Sequence, residues 1–349
     1  MRLRGTYASI LTASALVFAA CTPPSPRAAI YGGRIAVQEN IRDTIHSIDG
    51  KSGKSVAMPS GGWADAPPTK DGLIFVHGDG GLAARDIVTG AVKWRVLLKM
   101  SYLANVVPTK EVVFVPFVAR ADLMGGTIAG WVALDRDKGT RLYDVRSDKF
   151  APLAANDDIV ATIENGELVG YATADGKERW RSSIKTDGPL LIENGRLFGR
   201  TEDKLAVFTA SSGALQRRMD LGGTDAFRSF RRPFAAKGNT IAWIESDVLN
   251  VADATTGKQL WKRDDVDDLA VTSNIVVAAR DDQLEGLDLA TGASKWKLSI
   301  DNDACSLAAD GDTVVARLDD ERVAVIDAAT GKRRFEFDLV AGAVLARAK

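Results

Sequence analysis

Few residues of this sequence have the types and spacing that catalysis or metal binding requires. The 349 residues include two histidines, His46 and His77, and two cysteines, Cys21 and Cys305. They form no H-x-x-x-H or C-x-x-C spacing, and no nucleophile elbow, phosphate-binding loop or dinucleotide-binding glycine motif is present. We therefore expect a protein that is not an enzyme and that has neither a metal site nor a cofactor. The apolar neighbours of Cys305 favour a buried, inert thiol over a reactive one.

Acidic residues form the densest charged clusters of the chain. They alternate with apolar segments that read as strands, so each cluster falls at a predicted turn or connection. This position favours solvated turns over calcium binding or acid–base catalysis. The clusters are Asp264-Asp265 with Asp267-Asp268, Asp281-Asp282, Asp301 with Asp303, and Asp319-Asp320-Glu321.

The N-terminus has the pattern of an export signal. Two arginines precede residues 7–20, which carry no charge and number 14, fewer than the about 20 that a membrane-spanning helix needs. Residues 17–21, Val-Phe-Ala-Ala-Cys, resemble the lipobox of bacterial lipoproteins, in which the cysteine is diacylated and becomes the mature N-terminus. The resemblance implies that residues 1–20 are a signal peptide and that Cys21 carries lipid. Thr22 in place of Asp then implies the periplasmic face of the outer membrane.

The charge balance indicates no nucleic-acid partner. The chain has 45 basic and 46 acidic side chains, a formal net charge of −1, and removal of residues 1–20 takes away two of the arginines. A binder of the phosphate backbone would show a basic excess. The proline-containing residues 21–32 are predicted to be a lipidated flexible tether.

A short pattern recurs along the rest of the chain: an aspartate, then a glycine four residues later, then an aromatic residue four residues after the glycine. Asp suits such a turn because its carboxylate accepts hydrogen bonds from nearby backbone N–H groups, and Gly because it adopts positive φ. The clear copies are Asp86, Gly90 and Trp94; Asp253, Gly257 and Trp261; Asp288, Gly292 and Trp296; and Asp327, Gly331 and Phe335. The weaker copies are Asp49 and Gly53; Asp135, Gly139 and Tyr143; Gly176 and Trp180; and Thr209, Gly213 and Arg217.

The eight copies predict an all-β fold, an eight-bladed β-propeller. Successive glycines lie 35 to 49 residues apart, and a four-stranded blade occupies about 40 residues. Short β-branched runs precede the turns, and we expect each aromatic residue to fill the space between neighbouring blades. The propeller is predicted to span residues 33–349. Because the first unit lacks an upstream strand, the segment around Ala343-Val344-Leu345 is expected to close the ring as the inner strand of the first blade, a sharing of N- and C-terminal strands.

Two units are longer than the others, and such insertions often carry function. The third unit has residues 120–130 between its strands, and the sixth has residues 222–233. The second insertion mixes aromatic and cationic side chains, which are enriched at protein interfaces. A solvated loop with its aromatic rings packed on a blade is an equal alternative. The residues concerned are Phe227, Arg228, Phe230, Arg231 and Arg232.

The Asp, Thr-Gly and Trp pattern resembles the propeller repeats of the quinoprotein dehydrogenases, which bind pyrroloquinoline quinone. Those enzymes are much longer, and the alcohol-oxidising ones have a disulfide between adjacent cysteines, a pair that is absent here. The lipobox combined with eight such repeats is similar to the BamB family, the propeller lipoproteins of the outer-membrane β-barrel assembly machinery. This resemblance covers the whole mature chain.

The BamB resemblance implies a binding protein. In that family a Leu-Arg-Gly motif followed by Ala-Pro helps to contact the periplasmic domains of the barrel-forming subunit, and Val145-Arg146-Ser147 with Ala151-Pro152 matches it loosely. Arg146 is thus the implied contact residue. The family's second, Asp-rich contact loop is reduced here to Asp187. The resemblance implies a scaffold lipoprotein that assists insertion of outer-membrane proteins; the alternative is a quinoprotein-like periplasmic enzyme or a ligand-binding propeller.

Overall fold

The computed structural model describes most of the chain after residue 28. The described residues are 29–31, 33–38, 44–59, 62–64, 69, 71–78, 81–98, 102–103, 106–120, 127–147, 151–201, 204–220, 234–245, 247–280, 282–300, 304–318 and 322–347. They form 34 strands, arranged in eight antiparallel sheets. The predicted all-β, eight-bladed propeller is confirmed.

The first four sheets are blades 1 to 4. Blade 1 contains β1 (Ala29–Tyr31), β2 (Arg34–Gln38), β3 (Thr44–Asp49) and β4 (Ser55–Pro59). Blade 2 contains β5 (Gly62–Ala64), β6 (Leu73–Gly78), β7 (Gly81–Asp86) and β8 (Val92–Leu97). Blade 3 contains β9 (Tyr102–Leu103), β10 (Val107–Pro108), β11 (Val112–Arg120), β12 (Thr127–Asp135) and β13 (Arg141–Ser147). Blade 4 contains β14 (Leu153–Ala155), β15 (Ile159–Glu164), β16 (Glu167–Ala172) and β17 (Glu178–Lys185).

The other four sheets are blades 5 to 8. Blade 5 contains β18 (Asp187–Glu193), β19 (Arg196–Thr201), β20 (Lys204–Thr209) and β21 (Leu215–Asp220). Blade 6 contains β22 (Phe234–Lys237), β23 (Thr240–Glu245), β24 (Val248–Asp253) and β25 (Gln259–Arg263). Blade 7 contains β26 (Asp268–Val271), β27 (Ile275–Arg280), β28 (Gln283–Asp288) and β29 (Ser294–Ser299). Blade 8 contains β30 (Ala304–Asp310), β31 (Thr313–Leu318), β32 (Arg322–Asp327), β33 (Arg333–Asp338) and β34 (Ala343–Arg347).

Chain order within each blade runs from the centre of the ring to its rim. The first strands of neighbouring blades contact each other: β30 contacts β26 on one side and β1 on the other. The first strands therefore surround the centre of the ring. The last strand of each of blades 1 to 7 lies outermost, and we call these strands and β33 of blade 8 the rim strands; in blade 8 the additional strand β34 lies outside β33. The β-branched runs of the sequence form second strands, which are buried on both sides between two neighbouring blades. This burial explains why they read as continuous apolar segments.

The core is divided among the contacts between blades. Eight hydrophobic clusters are found in the described residues, and each joins the second and third strands of one blade to those of the next. The cluster between blades 8 and 1 contains Ile35 and Ile48 of blade 1 with Phe335 and Phe337 of blade 8. In the described part of the chain the core is thus divided among eight contacts between blades, and each blade gains stability from its two neighbours.

The ring closes differently from the sequence prediction. Residues Ala29–Tyr31 form the inner strand of blade 1, with Ile30 opposite Ile35, so the blade begins before the predicted start at residue 33 and within the predicted tether. The C-terminal strand β34 pairs with β33 and becomes a fifth strand at the outer edge of blade 8. The prediction of a shared strand is wrong. A hairpin through Gly33 orders far less chain than a connection from residue 343, and the adjacent segment therefore supplies the strand.

Candidate protein interface

The recurring aspartate and glycine build the turn between the third and fourth strand of each blade. In blade 2, Asp86 Oδ1 accepts hydrogen bonds from the backbone N–H of Val88 (3.0 Å) and Thr89 (2.8 Å) and from the Thr89 hydroxyl (2.9 Å). The backbone N–H of Gly90 donates to the carbonyl of Asp86 at 2.8 Å. All eight repeat glycines have φ between +66° and +72°. The predicted turn is thus confirmed in every blade, including blades 4 and 5, where Ala172 and Thr209 occupy the aspartate position.

These hydrogen bonds stabilise the ionised carboxylates. The pKa values of Asp49, Asp86 and Asp253 lie below the usual 3.8 because the backbone N–H three residues later donates to the charged carboxylate, with the side-chain hydroxyl of the same residue adding to the effect. Each carboxylate is therefore committed to its own turn. The repeated aspartates are structural residues.

The aromatic residue of each repeat acts on the following blade. Trp261 of blade 6 lies over Gly292 of blade 7, so closely that a Cβ atom on that glycine would be 2.7 Å from the indole ring. The Trp261 indole N–H also donates to the carbonyl of Leu289 at 3.0 Å. The same arrangement joins Trp94 to Gly139, Tyr143 to Gly176, Trp180 to Gly213, and Trp296 to Gly331. The prediction that these rings fill the space between blades is confirmed.

Three contacts between blades use other side chains. Arg217 takes the aromatic position over Gly257, and its guanidinium donates to the carbonyl of Thr256. Met58 lies over Gly90, and Val344 together with Phe335 lies over Gly53. Sequence reasoning treated Arg217 as a decayed repeat position, whereas the structure gives it the same place as the tryptophans.

The residues with metal-binding chemistry are dispersed. His46 is buried on β3 with its ring edge-on to Phe337 at 5.7 Å, and the side chains of His77 and Cys305 are outside the described part of the chain. Among the described residues, no group of three or more His, Cys, Asp or Glu side chains could hold a metal ion. Asp265 pairs with Arg280 at 3.3 Å, and Asp268 accepts the backbone N–H of Leu307 at 2.7 Å. These acids of the predicted turns have structural contacts.

Arg146 lies near the end of rim strand β13 and is exposed, with 74 % of its side chain accessible. Its guanidinium Nε is 3.8 Å from Asp144 Oδ2, while Arg141 is closer to the same carboxylate at 2.7 Å. One carboxylate between two guanidinium groups leaves a positive excess on this face. Opposite Arg146 is Gly130, where a side chain would meet the carbonyl of Val145, so β12 and β13 approach closely at this point.

Leu142 adds an apolar component to the same strand. It is 47 % exposed and lies at a register shift of β13, where it has no partner on β12 and is exposed together with Arg141, while Asp144 and Arg146 are the exposed residues further along the strand. Tyr143 and Val145 point to the opposite side and pack against blade 4. The sequence analysis missed Leu142, because its exposure depends on the register shift between β12 and β13. Leu142, Arg141 and Arg146 are here called the β13 patch.

The family model described as outer membrane protein assembly factor BamB matches residues 18–144, 125–216 and 201–344, nearly all of the chain. The chain belongs to this family. A search of curated proteins finds no match. In the described residues, no helix is long and apolar enough to cross a membrane.

Solved structures share the fold of this BamB-family chain. BamB from Moraxella catarrhalis has 14 % sequence identity and a TM-score of 0.58, with 82 % of this chain and 90 % of that one covered. Dihydro-heme d1 dehydrogenase NirN, solved in complex with DHE, has 16 % identity and a TM-score of 0.69 over 92 % of this chain and 78 % of that one. A computationally designed protein, Ika8, has 18 % identity and a TM-score of 0.61 over 89 % and 95 %. At these identities the likeness concerns the fold alone.

The contact residues that the BamB resemblance implied are partly visible. Ala151 and Pro152 are half-buried before β14, and the Pro152 carbonyl accepts the Thr162 hydroxyl at 3.0 Å. Asp187 forms a two-point ion pair with Arg200 at 2.7 and 2.8 Å, so it is already engaged within blade 5. The predicted insertion of blade 3 is shorter than expected because residues 127–130 belong to β12. Phe227, Arg228, Phe230, Arg231, Arg232 and the predicted lipidation site Cys21 lie outside the described residues.

Proposed function

We propose that this protein is a non-catalytic scaffold of the outer-membrane β-barrel assembly machinery, located at the periplasmic face of the outer membrane and held there by lipid on Cys21. It binds the periplasmic domains of the barrel-forming subunit and assists the insertion of outer-membrane proteins. The observation that carries this proposal is the match of the BamB family model across residues 18–344. The eight repeats of the glycine turn and of the side chain that packs over it support the proposal, because they extend over the residues that the family model matches.

The architecture leaves few surfaces for a partner. Second and third strands are buried between blades, and the repeat aspartates and aromatic residues are used within the ring. A partner must therefore meet the rim strands or the connections between strands. Arginine is one of the residues that contribute most per residue at interfaces, and the β13 patch has two arginines beside an exposed apolar side chain.

Charge indicates the kind of surface that fits the β13 patch. Arg141 and Arg146 share one carboxylate, that of Asp144, so a partner carboxylate near Arg146 completes the pairing. An arginine and a carboxylate can form two parallel hydrogen bonds, which adds specificity to the contact. The partner surface should present an acidic residue beside an apolar one.

The tether restricts the position of the propeller. Cys21 and the first strand residue, Ala29, are eight residues apart, and a fully extended chain covers about 3.5 Å per residue. Two acyl chains hold a protein stably on a membrane, whereas one does not. A lipidated Cys21 would keep blade 1 within about 28 Å of the anchoring cysteine.

Co-purification from detergent-solubilised envelope tests the proposed function. The affinity-tagged chain is recovered after brief crosslinking, and an unrelated tagged periplasmic protein serves as the control. Specific enrichment of the barrel-forming subunit is the expected result. Recovery of the tagged chain without that subunit would contradict the assembly role, and enrichment of a redox partner would instead favour the quinoprotein-like alternative.

A further inference from the structure

Exposed apolar side chains are unevenly distributed around the ring. Seven large ones are exposed in the described part of the chain: Val88, Val92, Leu97, Leu142, Leu260, Val340 and Leu345. The first three belong to blade 2 and the last two to blade 8, and these blades are the two neighbours of blade 1. A single exposed leucine is ordinary on a protein surface, whereas a concentration of apolar side chains marks an interaction surface.

Strand β8 turns its exposed apolar residues toward blade 1. Leu97 is opposite Gly81 of β7 and Val92 is opposite Arg85, two positions on the same side of β7. The register shift of β8 lies between these pairs, so both side chains remain on that side. Val76 of β6 lies on that side too and packs in the hydrophobic cluster between blades 1 and 2. Leu97, at 65 % exposure, therefore borders the rim of blade 1.

The outermost strands of blades 8, 1 and 2 are basic as well as apolar. Strands β34, β4 and β8 contain no acidic residue and three basic ones, Lys93, Arg95 and Arg347. Two acidic residues beside these strands are used in turns. Asp86, 3.8 Å from Lys93, accepts the turn hydrogen bonds described above, and Asp338 accepts the backbone N–H of Ala341 at 2.8 Å. We call the outer surface formed by β34, β4 and β8 the tether-side rim.

The segment that follows the predicted lipidation site enters the ring at blade 1. Ala29 begins the innermost strand of this blade, and the outermost strand β4 lies three strand spacings away, roughly 14 Å. An extended chain from Cys21 to Ala29 covers about 28 Å, which is enough to pass the rim. The rims of blade 1 and its two neighbours are the ones closest to this entry. A lipid on Cys21 thus brings a membrane to the side of the ring where apolar side chains are exposed.

We propose that the tether-side rim lies on the surface of the membrane that holds the anchor, and that it binds anionic lipid headgroups. Leu97, Val92 and Leu345 enter the boundary between headgroups and acyl chains, where apolar side chains of peripheral proteins are buried. Lys93 and Arg95 contact the phosphate groups, and each basic residue near an anionic surface strengthens the attachment. The proposal rests on the lipid anchor of the proposed function and is independent of the role in barrel assembly.

This orientation leaves the β13 patch available to a protein partner. A ring of eight blades turns by about 45° from one blade to the next, so blade 3 is about 90° away from blade 1. With blade 1 on the membrane, the rim of blade 3 faces along the membrane surface. The two proposed interfaces are therefore compatible in one bound molecule.

Vesicle flotation tests the proposal with the full mature chain carrying Cys21→Ala, so that no acyl chain contributes to binding. Vesicles that contain phosphatidylglycerol are compared with vesicles of phosphatidylcholine alone. Leu97→Asp and Arg95→Glu are made in this chain, with Leu260→Asp and Lys262→Glu as matched controls on the rim strand of blade 6. The Cys21→Ala chain should float with the anionic vesicles. Each blade 2 variant should weaken this binding by about fivefold or more, and each control by less than about twofold.

Several results would overturn the proposal. They are the absence of flotation with anionic vesicles at millimolar lipid, equal binding to both kinds of vesicle, and equal losses in the variants of blades 2 and 6. Concentration-dependent dimerisation that Leu97→Asp abolishes would show that a second copy of this chain covers the rim instead. Urea unfolding confirms that each variant is folded. The outcome is separable from the assembly role, because Leu97→Asp should still co-purify with the barrel-forming subunit, and a failed co-purification leaves the flotation result intact.

Discussion

At the scale of single residues, the repeat aspartates and glycines carry the turns that connect third and fourth strands. Asp253 Oδ1 accepts three hydrogen bonds, from the N–H of Thr255 (2.8 Å), the N–H of Thr256 (2.6 Å) and the Thr256 hydroxyl (3.0 Å). Their donors lie in a partly exposed turn, where water can replace a lost acceptor. The contribution of Asp253 is therefore larger than one hydrogen bond but smaller than three independent ones.

Replacement of Asp253 should weaken the protein in a pH-dependent way. We expect Asp253→Ala to lower the free energy of unfolding by about 1.5 kcal/mol at pH 7 and Asp253→Asn, which keeps one acceptor oxygen, by less. Because the folded-state pKa of Asp253 is lowered, its stabilisation is complete above the unfolded value of about 3.9 and is lost as the pH falls through the folded value. Urea unfolding at pH 7 and at pH 3 should show a smaller difference between parent and variant at pH 3. A difference that grows on acidification would contradict this explanation.

Gly292 and Gly195 allow two reasons for glycine to be distinguished, namely a positive φ and the lack of space for a side chain. Both have φ of +71°, but only Gly292 lies under an aromatic ring, and a Cβ on Gly195 would meet nothing within 4 Å. Gly195→Ala should lower the free energy of unfolding by about 1–2 kcal/mol, because alanine is strained in the left-handed conformation. Gly292→Ala should lower it by about 1–3 kcal/mol more, because the new methyl group also displaces Trp261. Denaturant unfolding of both variants measures the difference. Equal losses would mean that the contact with Trp261 is not tight.

At the scale of elements, each pair of neighbouring blades is joined by a hydrophobic cluster. It is also joined by a rim-strand side chain that packs over the turn glycine of the next blade, which we call the wedge. Tryptophan is the wedge in four contacts, whereas Arg217 replaces it between blades 5 and 6. Arg196 adds hydrogen bonds across the same contact, to Asn239 (3.0 Å) and Thr255 (2.8 Å). Polar contacts in a partly exposed position contribute less than a large ring, so this contact should depend less on its wedge.

The wedges should differ in energy. Trp261→Ala removes a half-buried indole and its hydrogen bond to Leu289, and we expect a loss of about 3 kcal/mol, at the lower end for a large aromatic residue. Arg217→Ala, at the equivalent position, should cost about 1 kcal/mol. Asp253→Ala should also cost less than Trp261→Ala. Thermal or urea unfolding gives the order, and a larger loss for Arg217→Ala than for Trp261→Ala would contradict the comparison.

The elements that the sequence predicted correctly are those set by local chemistry. Asp, Gly and Trp at fixed spacing identify the turn, and β-branched runs such as Val112–Val115 identify the buried second strands. Ring closure was not predictable in this way, because a short segment such as Ala29–Tyr31 has no distinctive pattern of its own. The position of β34 at the edge of blade 8 involves the packing of Val344 on Gly53 of blade 1. These two residues are almost a whole chain apart in sequence, so the contact cannot be predicted from local patterns.

At the scale of the whole molecule, we expect the propeller to fold independently of the proposed lipid anchor at Cys21. The described blades are built from residues 29–347, and Cys21 is not part of them, so we expect Cys21→Ala to fold and melt like the parent. Without acyl chains it should be a soluble periplasmic protein. Detergent phase partitioning measures the change, with unfolding by circular dichroism as the control. A variant that still enters the detergent phase would show that Cys21 is not the lipid anchor.

The candidate interface was less predictable than the fold. Arg146 came from a resemblance in sequence, and the structure adds that Leu142 is exposed on the same strand and that Asp144 is divided between two arginines. Asp187 is engaged by Arg200, a contact that depends on the register of β18 and β19. Such features arise from pairing between strands, which the spacing of residues along the chain does not reveal.

The most direct measurement is the binding of the mature chain, Arg146→Glu and Lys262→Glu to the purified periplasmic domains of the barrel-forming subunit. Lys262 is an exposed residue on the rim strand of blade 6, so its replacement is the same charge reversal on another part of the ring. Arg146→Glu should weaken binding about thirtyfold or more, the loss of a hot spot of about 2 kcal/mol, while Lys262→Glu binds like the parent. Both variants should unfold within about 0.5 kcal/mol of the parent, as expected for surface positions. Parent-like binding by a folded Arg146→Glu variant would contradict a docking role for the β13 patch.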